Sequence, residues 1–274
     1  MQHWTPRLLP YLAAAAIGIL PAAAGAQSLS DIMAAEMLPG WRTAEGRHMA
    51  ALRIDLAPGW KTYWRAPGDA GVPPVFDWQG SENLRGVEVH WPRPEVFRLN
   101  GMQTIGYSRQ LVLPVEVLPR DPGAPVRLTA NVDLGVCNTV CVPATVSVAA
   151  DLPVRGGTAD PAIRAALDAA PESPRQAGVQ ALGCRIEPMA DGLRVTAVID
   201  MPRLPGRAET AVLEPGDPDI WVSEAATRRE GGRLVATSEM VAPDGLPFFL
   251  DRSRLTITVI GQGRAVEIRG CPAL

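Results

Sequence analysis

The sequence predicts an all-β protein: a β-sandwich followed by a second, smaller β-sandwich-like domain. Three observations carry this reading. From Met49 onward, short runs rich in Val, Leu and Ile alternate apolar and polar residues with a period of two, as strands with one buried face do. Turn residues, above all Pro and Gly, interrupt these runs every 8–15 residues, a spacing suited to antiparallel sandwiches. Helical patterning is rare, and the one short helix it predicts lies in a stretch that separates two strand-rich regions.

Taken in chain order, the first 26 residues come before any of this. MQHWTPRLLPYLAAAAIGILPAAAGA has Arg7 near its start, an apolar run from Leu8 to Leu20, and Ala-Gly-Ala at its end. That is the pattern of a secretory signal peptide cleaved after Ala26. The run is short for a bilayer span of about 20 residues. The mature chain of about 248 residues therefore starts at Gln27, is exported, and is long enough for two domains. Loss of Arg7 moves the formal charge from −3 to −4. Charge is spread evenly and no basic block exists, which argues against a nucleic-acid or anionic-membrane partner.

Residues 27–154 form the expected first domain. HMAALRIDLAPGWKTYW (48–64) reads as strand, Pro-Gly turn, strand. VEVHWP, LVLPVEVLP, VRLTANVDLG and TVSVAADLPV are further strands. Trp60, Tyr63, Trp64 and Trp78 are expected as core residues of this domain, with a docking surface as the alternative. Residues 155–178, rich in Ala, Pro and Gly, form a linker. Within it DPAIRAALDAA predicts a helix with Asp160 as N-cap and Pro161 in its first turn. Strands resume over residues 179–274, where Asp191-Gly192 and Gly231-Gly232 mark hairpins.

All four cysteines, Cys137, Cys141, Cys184 and Cys271, lie in the exported part, where disulfides form. Cys184 opens the second domain and Cys271 closes it. A bond between them encloses a loop of about 87 residues, worth on the order of 4 kcal/mol in the chain-entropy model, and is expected to be structural. Cys137 and Cys141 are then left for each other. A structural zinc site is disfavoured: beyond these two thiols the mature chain offers only His48 and His90, and no second close Cys pair. Cu(I) binding by the thiols lacks a Met-rich motif, with only Met102 nearby in sequence. A disulfide closing so short a loop gains little entropy. Exchange chemistry, in which one thiolate attacks and its neighbour resolves, explains the spacing better than a staple does, and both readings stay open on spacing alone. No cofactor is expected. Asp69, in PGDAGVPP, is read as shaping a turn rather than tuning the thiols. Pro143 is read as ending a hairpin segment.

Four segments occur in a telling order: GWKTYWRAPGDAGVPPVFDW (59–78), VHWPRPEVF (89–97), TIGYSRQLVLPVEV (104–117) and LTANVDLGVCNTVCVP (128–143). Together they resemble the N-terminal periplasmic domain of the thiol:disulfide interchange protein DsbD, and more closely the alpha domains of suppressor-of-copper-sensitivity proteins. The resemblance spans about residues 37–150. It implies an immunoglobulin-like sandwich with the redox cysteines on a hairpin at one edge, and a periplasmic location. It implies an electron carrier, reduced by a separate membrane-embedded thiol reductase of the DsbD or CcdA kind. The carrier would then reduce periplasmic disulfide-containing or thioredoxin-like proteins, in cytochrome c biogenesis or copper tolerance. By the family pattern Cys141 is the exchanging thiol and Cys137 the resolving one. The resemblance also implies a cap loop over the cysteines, placed within Phe97–Tyr107, with Asn100, Met102 and Tyr107 as candidate shielding residues. Two other functions compete: a non-catalytic periplasmic binding module with two structural disulfides, and Cu(I) binding by the reduced pair.

Overall fold

The computed structural model describes Met1 and residues 28–99, 101–246 and 248–274. The expected signal peptide and the cap candidate Asn100 lie outside the described residues. The first half runs α1 (Leu29–Ile32), β1 (Met33–Arg42), β2 (His48–Leu56), β3 (Lys61–Tyr63), β4 (Val75–Asp77) and β5 (Leu84–Val89). It continues with β6 (Glu95–Leu99), β7 (Met102–Ser108), β8 (Gln110–Pro119), β9 (Val126–Cys137) and β10 (Cys141–Leu152). These strands pair antiparallel into two sheets. One has the order β1-β2-β8-β5, the other β10-β9-β3-β7-β6, with β4 also on β9.

The period-two pattern explains how the sheets face each other. In β9, Val126, Leu128, Ala130, Val132 and Leu134 point inward and are almost fully buried. In β8, Leu111, Leu113, Val115 and Val117 do the same from the opposing sheet. Trp60, Trp64, Ile105 and Tyr107 join this core, and Trp78 packs at its margin. The fold is the immunoglobulin-like β-sandwich of the sequence reading.

Two short helices follow, α2 (Pro161–Asp168) and α3 (Pro174–Ala177). Asp160 caps α2 by accepting a 2.7 Å hydrogen bond from the Ala162 N–H, with Pro161 in the first turn. The helix is no free spacer. Ile163 is fully buried against Leu38, Met49 and Ala51 on the outer face of the first sheet, with Leu167 beside it.

The last hundred residues fold around a second core. β11 (Ala181–Pro188), β12 (Leu193–Asp200), β16 (Arg233–Val241) and β14 (Trp221–Val222) form one sheet, with β15 (Ala226–Glu230) also on β16. β13 (Thr210–Glu214), β17 (Thr256–Ile260) and β18 (Ala265–Arg269) form the other. Val195, Ala197, Ile199, Leu234 and Met240 meet Leu213, Ile257, Val259 and Val266 between them. Gly231 and Gly232, with φ of 52° and 88°, supply the left-handed turn that joins β15 to β16. Cys184 and Cys271 are bonded and buried in this core.

The two halves are fastened side chain to side chain. Arg65, two residues past the end of β3, donates to both Glu214 oxygens at 2.8 and 3.0 Å and to Glu267 at 2.7 Å. Arg98 donates to Gln103 on its own hairpin and to Thr210 of the second domain. Ile260 and Ala265 of the second domain pack into the first core.

Candidate functional site

The site is built on the second sheet of the sandwich. β9 and β10 form a long hairpin whose end pair is Cys137 and Cys141, in register with Cα atoms 4.1 Å apart and bonded through sulfur. Asn138, Thr139 and Val140 make the turn, closed by the Asn138 N–H on the Val140 carbonyl at 2.9 Å. The two sulfurs live in different surroundings. Cys137 is 1% exposed, whereas Cys141 belongs to the exposed rim. Only the Cys141 side of the bond is open to an incoming group.

Tyr63 lies directly over this bond. Its hydroxyl donates to Cys137 Sγ at 3.0 Å and lies 3.5 Å from Cys141 Sγ. Burial pushes the Tyr63 pKa up, so the hydroxyl keeps the proton it donates. The backbone makes room for the ring at Gly135. A Cβ there would stand 3.1 Å from Tyr63 Cε2 and 3.3 Å from Val72 Cβ. From the inner face, the Thr62 hydroxyl bonds the Gly135 carbonyl at 3.0 Å and ties β3 to β9. Tyr63 was expected in the hydrophobic core. It is buried, but on the opposite face from Trp64, because neighbours in a strand point to opposite sides.

Lys61 is the register partner of Cys137 across β3 and β9. Its ammonium donates to Thr104 Oγ1 at 3.1 Å and sits 5.1 Å from the centre of the Phe97 ring. Partial burial draws its pKa below the usual lysine value. Val72, Val75 and Val140 are more than half exposed: Val75 on β4 is level with Asp133 of β9, Val72 lies near Gly135, and Val140 is in the hairpin turn.

The segment expected as a cap loop is the β6–β7 hairpin. Ser108 is level with Lys61, and so with Cys137. Met102, exposed at the hairpin tip, is six residues further along β7, about 20 Å away along the strand. Tyr107 corrects the expectation outright. It is a core residue on the inner face, with its hydroxyl on the Pro92 carbonyl at 2.8 Å, and shields nothing. The contacts of this hairpin with the strand beside the disulfide are those of Phe97 and Thr104 with the Lys61 ammonium. Asp69 is exposed in the loop after Arg65, and Pro143 lies within β10 opposite Gly135.

The histidines play other parts. His48 is buried and donates to the Pro39 carbonyl at 2.5 Å. Glu88, His90 and Glu116 bring three ligand atoms within 4.8 Å of one another. However, Arg47 already sits among them, 3.2 Å from Glu116 and 3.8 Å from Glu88. The cluster is a charge network with its own cation.

Comparison with known proteins adds a family to this geometry. Residues 34–153 match the family model described as thiol:disulfide interchange protein DsbD, N-terminal. The first domain is thus similar to DsbD N-terminal domains. Among solved structures, the crystal structure of the N-terminal periplasmic domain of ScsB from Proteus mirabilis resembles the chain at a TM-score of 0.63 and 22% identity. That likeness covers 88% of this chain and 92% of the other, so the fold extends through both domains. No curated protein sequence matches the chain. Among the described residues no helix is long and apolar enough to cross a membrane.

Proposed function

We propose that this is a periplasmic thiol–disulfide exchange protein that carries reducing equivalents on Cys137 and Cys141. A separate membrane-embedded thiol reductase reduces the pair, and the reduced pair passes the electrons to disulfides of other periplasmic proteins. The observation that carries this reading is the asymmetry of one short disulfide: an exposed Cys141 sulfur, and a buried Cys137 sulfur with a tyrosine hydroxyl aimed at it. The DsbD match supports it, as does the periplasmic origin of the ScsB domain with the same fold.

In this scheme the incoming thiolate attacks Cys141 Sγ and the bond to Cys137 breaks. Tyr63 stabilises the thiolate left on Cys137. A second thiol of the reductase then releases Cys141 as a thiolate. Toward a substrate, Cys141 attacks the foreign disulfide, and Cys137 closes on Cys141 to expel the reduced product. The Cys184–Cys271 bond takes no part.

The test is the reduction potential of each pair. Mature protein is equilibrated in graded thiol–disulfide buffers, free thiols are trapped by alkylation, and the products are counted peptide by peptide. A potential between about −180 and −270 mV for Cys137–Cys141, with Cys184–Cys271 still bonded, fits an exchange protein. A value below about −300 mV marks the pair as structural and favours a binding module instead.

A further inference from the structure

A cleft of about 560 Å³ lies between the two domains. One wall is the loop of residues 65–73 in the first domain. The other is residues 211–214 of β13 and the stretch from there to residue 225 in the second. The loop wall is shared with the disulfide site. Gly71 and Pro73 line the cleft, and Val72 between them packs beside Tyr63. A Cβ at Gly135 would stand 3.1 Å from Tyr63 Cε2 and 3.3 Å from Val72 Cβ, so ring and valine lie together over that glycine. The same ring carries the hydroxyl that donates to Cys137 Sγ at 3.0 Å. A single short loop thus separates the cleft from the disulfide.

The charge of the cleft is one-sided. Its lining holds one cation, Arg65, and four carboxylates, Asp69, Glu214, Asp217 and Glu224, for a formal charge of −3. Arg65 is already spent on Glu214 and on Glu267 behind it. Arg254, which borders the cleft at Gly216, gives its guanidinium to the Gly216 carbonyl. Asp69, Asp217 and Glu224 are exposed and have no cationic partner among the described residues. Beside them Trp221 leaves 52% of its surface uncovered. β13 pairs with β17 alone, and an unpaired strand edge suits an extended chain.

We propose that this cleft takes an extended, cationic segment of the protein whose disulfide Cys141 reduces. Lysine or arginine side chains of that segment meet Asp69, Asp217 and Glu224, and an apolar neighbour packs on Trp221. The inference rests on the exchange reading above. Complementary charge across such a surface speeds encounter and rejects partners of the wrong sign. The chemistry at sulfur is that already described. The Cys141 thiolate bonds to one partner sulfur while the other leaves as a thiolate, and Cys137 then attacks Cys141 and expels the first sulfur as a second thiolate. The cleft residues touch no reacting atom; they select which disulfide is presented.

The probes are two synthetic peptides, each a cyclic disulfide followed by an extended tail with one leucine. The tail bears lysines in one and glutamates in the other. The reduced, full mature chain is mixed with each, and the second-order rate of peptide reduction is measured at low and high salt. Wild type is expected to reduce the lysine peptide about tenfold faster than the glutamate peptide at low salt, with the ratio falling toward one at high salt. In D69N/D217N/E224Q the low-salt ratio should drop to about two. In D151N/E187Q/D191N, which removes the same charge from exposed positions outside the cleft, it should stay near ten. Trp221→Ala should slow both peptides about fivefold. A wild-type ratio near one, or a ratio that falls equally in both triple variants, overturns the inference while leaving the exchange reading standing. A wild-type pair that reduces neither peptide nor hydroxyethyl disulfide overturns both.

Discussion

If Cys137–Cys141 serves chemistry and Cys184–Cys271 serves stability, removing each bond must cost very different amounts. Cys184 and Cys271 are 87 positions apart and Cys137 and Cys141 are 4 apart. In the chain-entropy model, closing the long loop removes about 15 cal/mol/K from the unfolded state, or about 4.6 kcal/mol at 25 °C; the short loop removes about 6 cal/mol/K, or about 1.9 kcal/mol. Both sulfurs of the long bond are also buried in the second core, so replacing them with alanine loses packing in the same direction. Spread over the unfolding entropy of a domain of this size, the two losses correspond to about 20 °C for the second domain and about 7 °C for the first. The assay is differential scanning calorimetry of the Cys184→Ala/Cys271→Ala and Cys137→Ala/Cys141→Ala double variants. If the short-loop variant falls further than the long-loop one, the hairpin bond is a staple, and the assignment of roles to the two disulfides is wrong.

Three further outcomes follow from the site and its supports. Tyr63→Phe deletes the donor 3.0 Å from Cys137 Sγ; a hydrogen bond to a charged sulfur is worth about 1.5 kcal/mol, so stopped-flow exchange with a small disulfide should slow about tenfold with the thermal midpoint preserved. Arg65→Gln leaves Glu214 and Glu267 facing each other with less than a quarter of each side chain exposed; a loss of about 2 kcal/mol and separation of the two domain transitions should appear in calorimetry. Burial would raise the Glu209 pKa, but two bonds from Arg229 and one from the Leu204 N–H outweigh it and hold the carboxyl below its usual value. Its stabilising effect is thus complete above the unfolded carboxylate range, about pH 4.5, and is lost as pH falls through the lower folded value. The midpoint of the second transition should drop between pH 5 and pH 3 in wild type, and drop less in Glu209→Gln.

Much of this architecture can be read from residue parity, and so can the errors. In WKTYW, Trp60, Thr62 and Trp64 share one face and Lys61 and Tyr63 the other. Tyr63 is buried as the tryptophans are, but the period-two rule puts it on the outer face, over the disulfide. The same rule places Tyr107 with Ile105 on the inner face, where no cap residue can work. Other features leave no local trace. The Arg65–Glu214 pair is separated by 149 positions, and nothing in either segment announces its partner. The docking of α2 on the first sheet depends on Leu38, Met49 and Ala51 being uncovered on the outer side, which the topology decides.

These long-range contacts bear on what the second domain does for the site. Lys61 and Tyr63 on the outer side of β3 and Arg65 two residues beyond it make different contributions. Lys61 ties the strand to Thr104 and Phe97 of the β6–β7 hairpin, Tyr63 donates a hydrogen bond to the sulfur, and Arg65 attaches the strand to the second domain. β3 is only three residues long, and its pairing with β9 is confined to Lys61 and Thr62. So short a strand needs outside support to hold a hydroxyl within 3.0 Å of a sulfur. That support comes from β7, which pairs with all three of its residues, from Trp64 in the core, from Thr62 on the Gly135 carbonyl, and from Arg65 against two carboxylates of the other domain. Thiol exchange depends on a fixed donor geometry at the leaving sulfur, because a displaced hydroxyl stabilises no charge. On the exchange reading proposed above, the second domain's part is to brace the strand on which the donor stands.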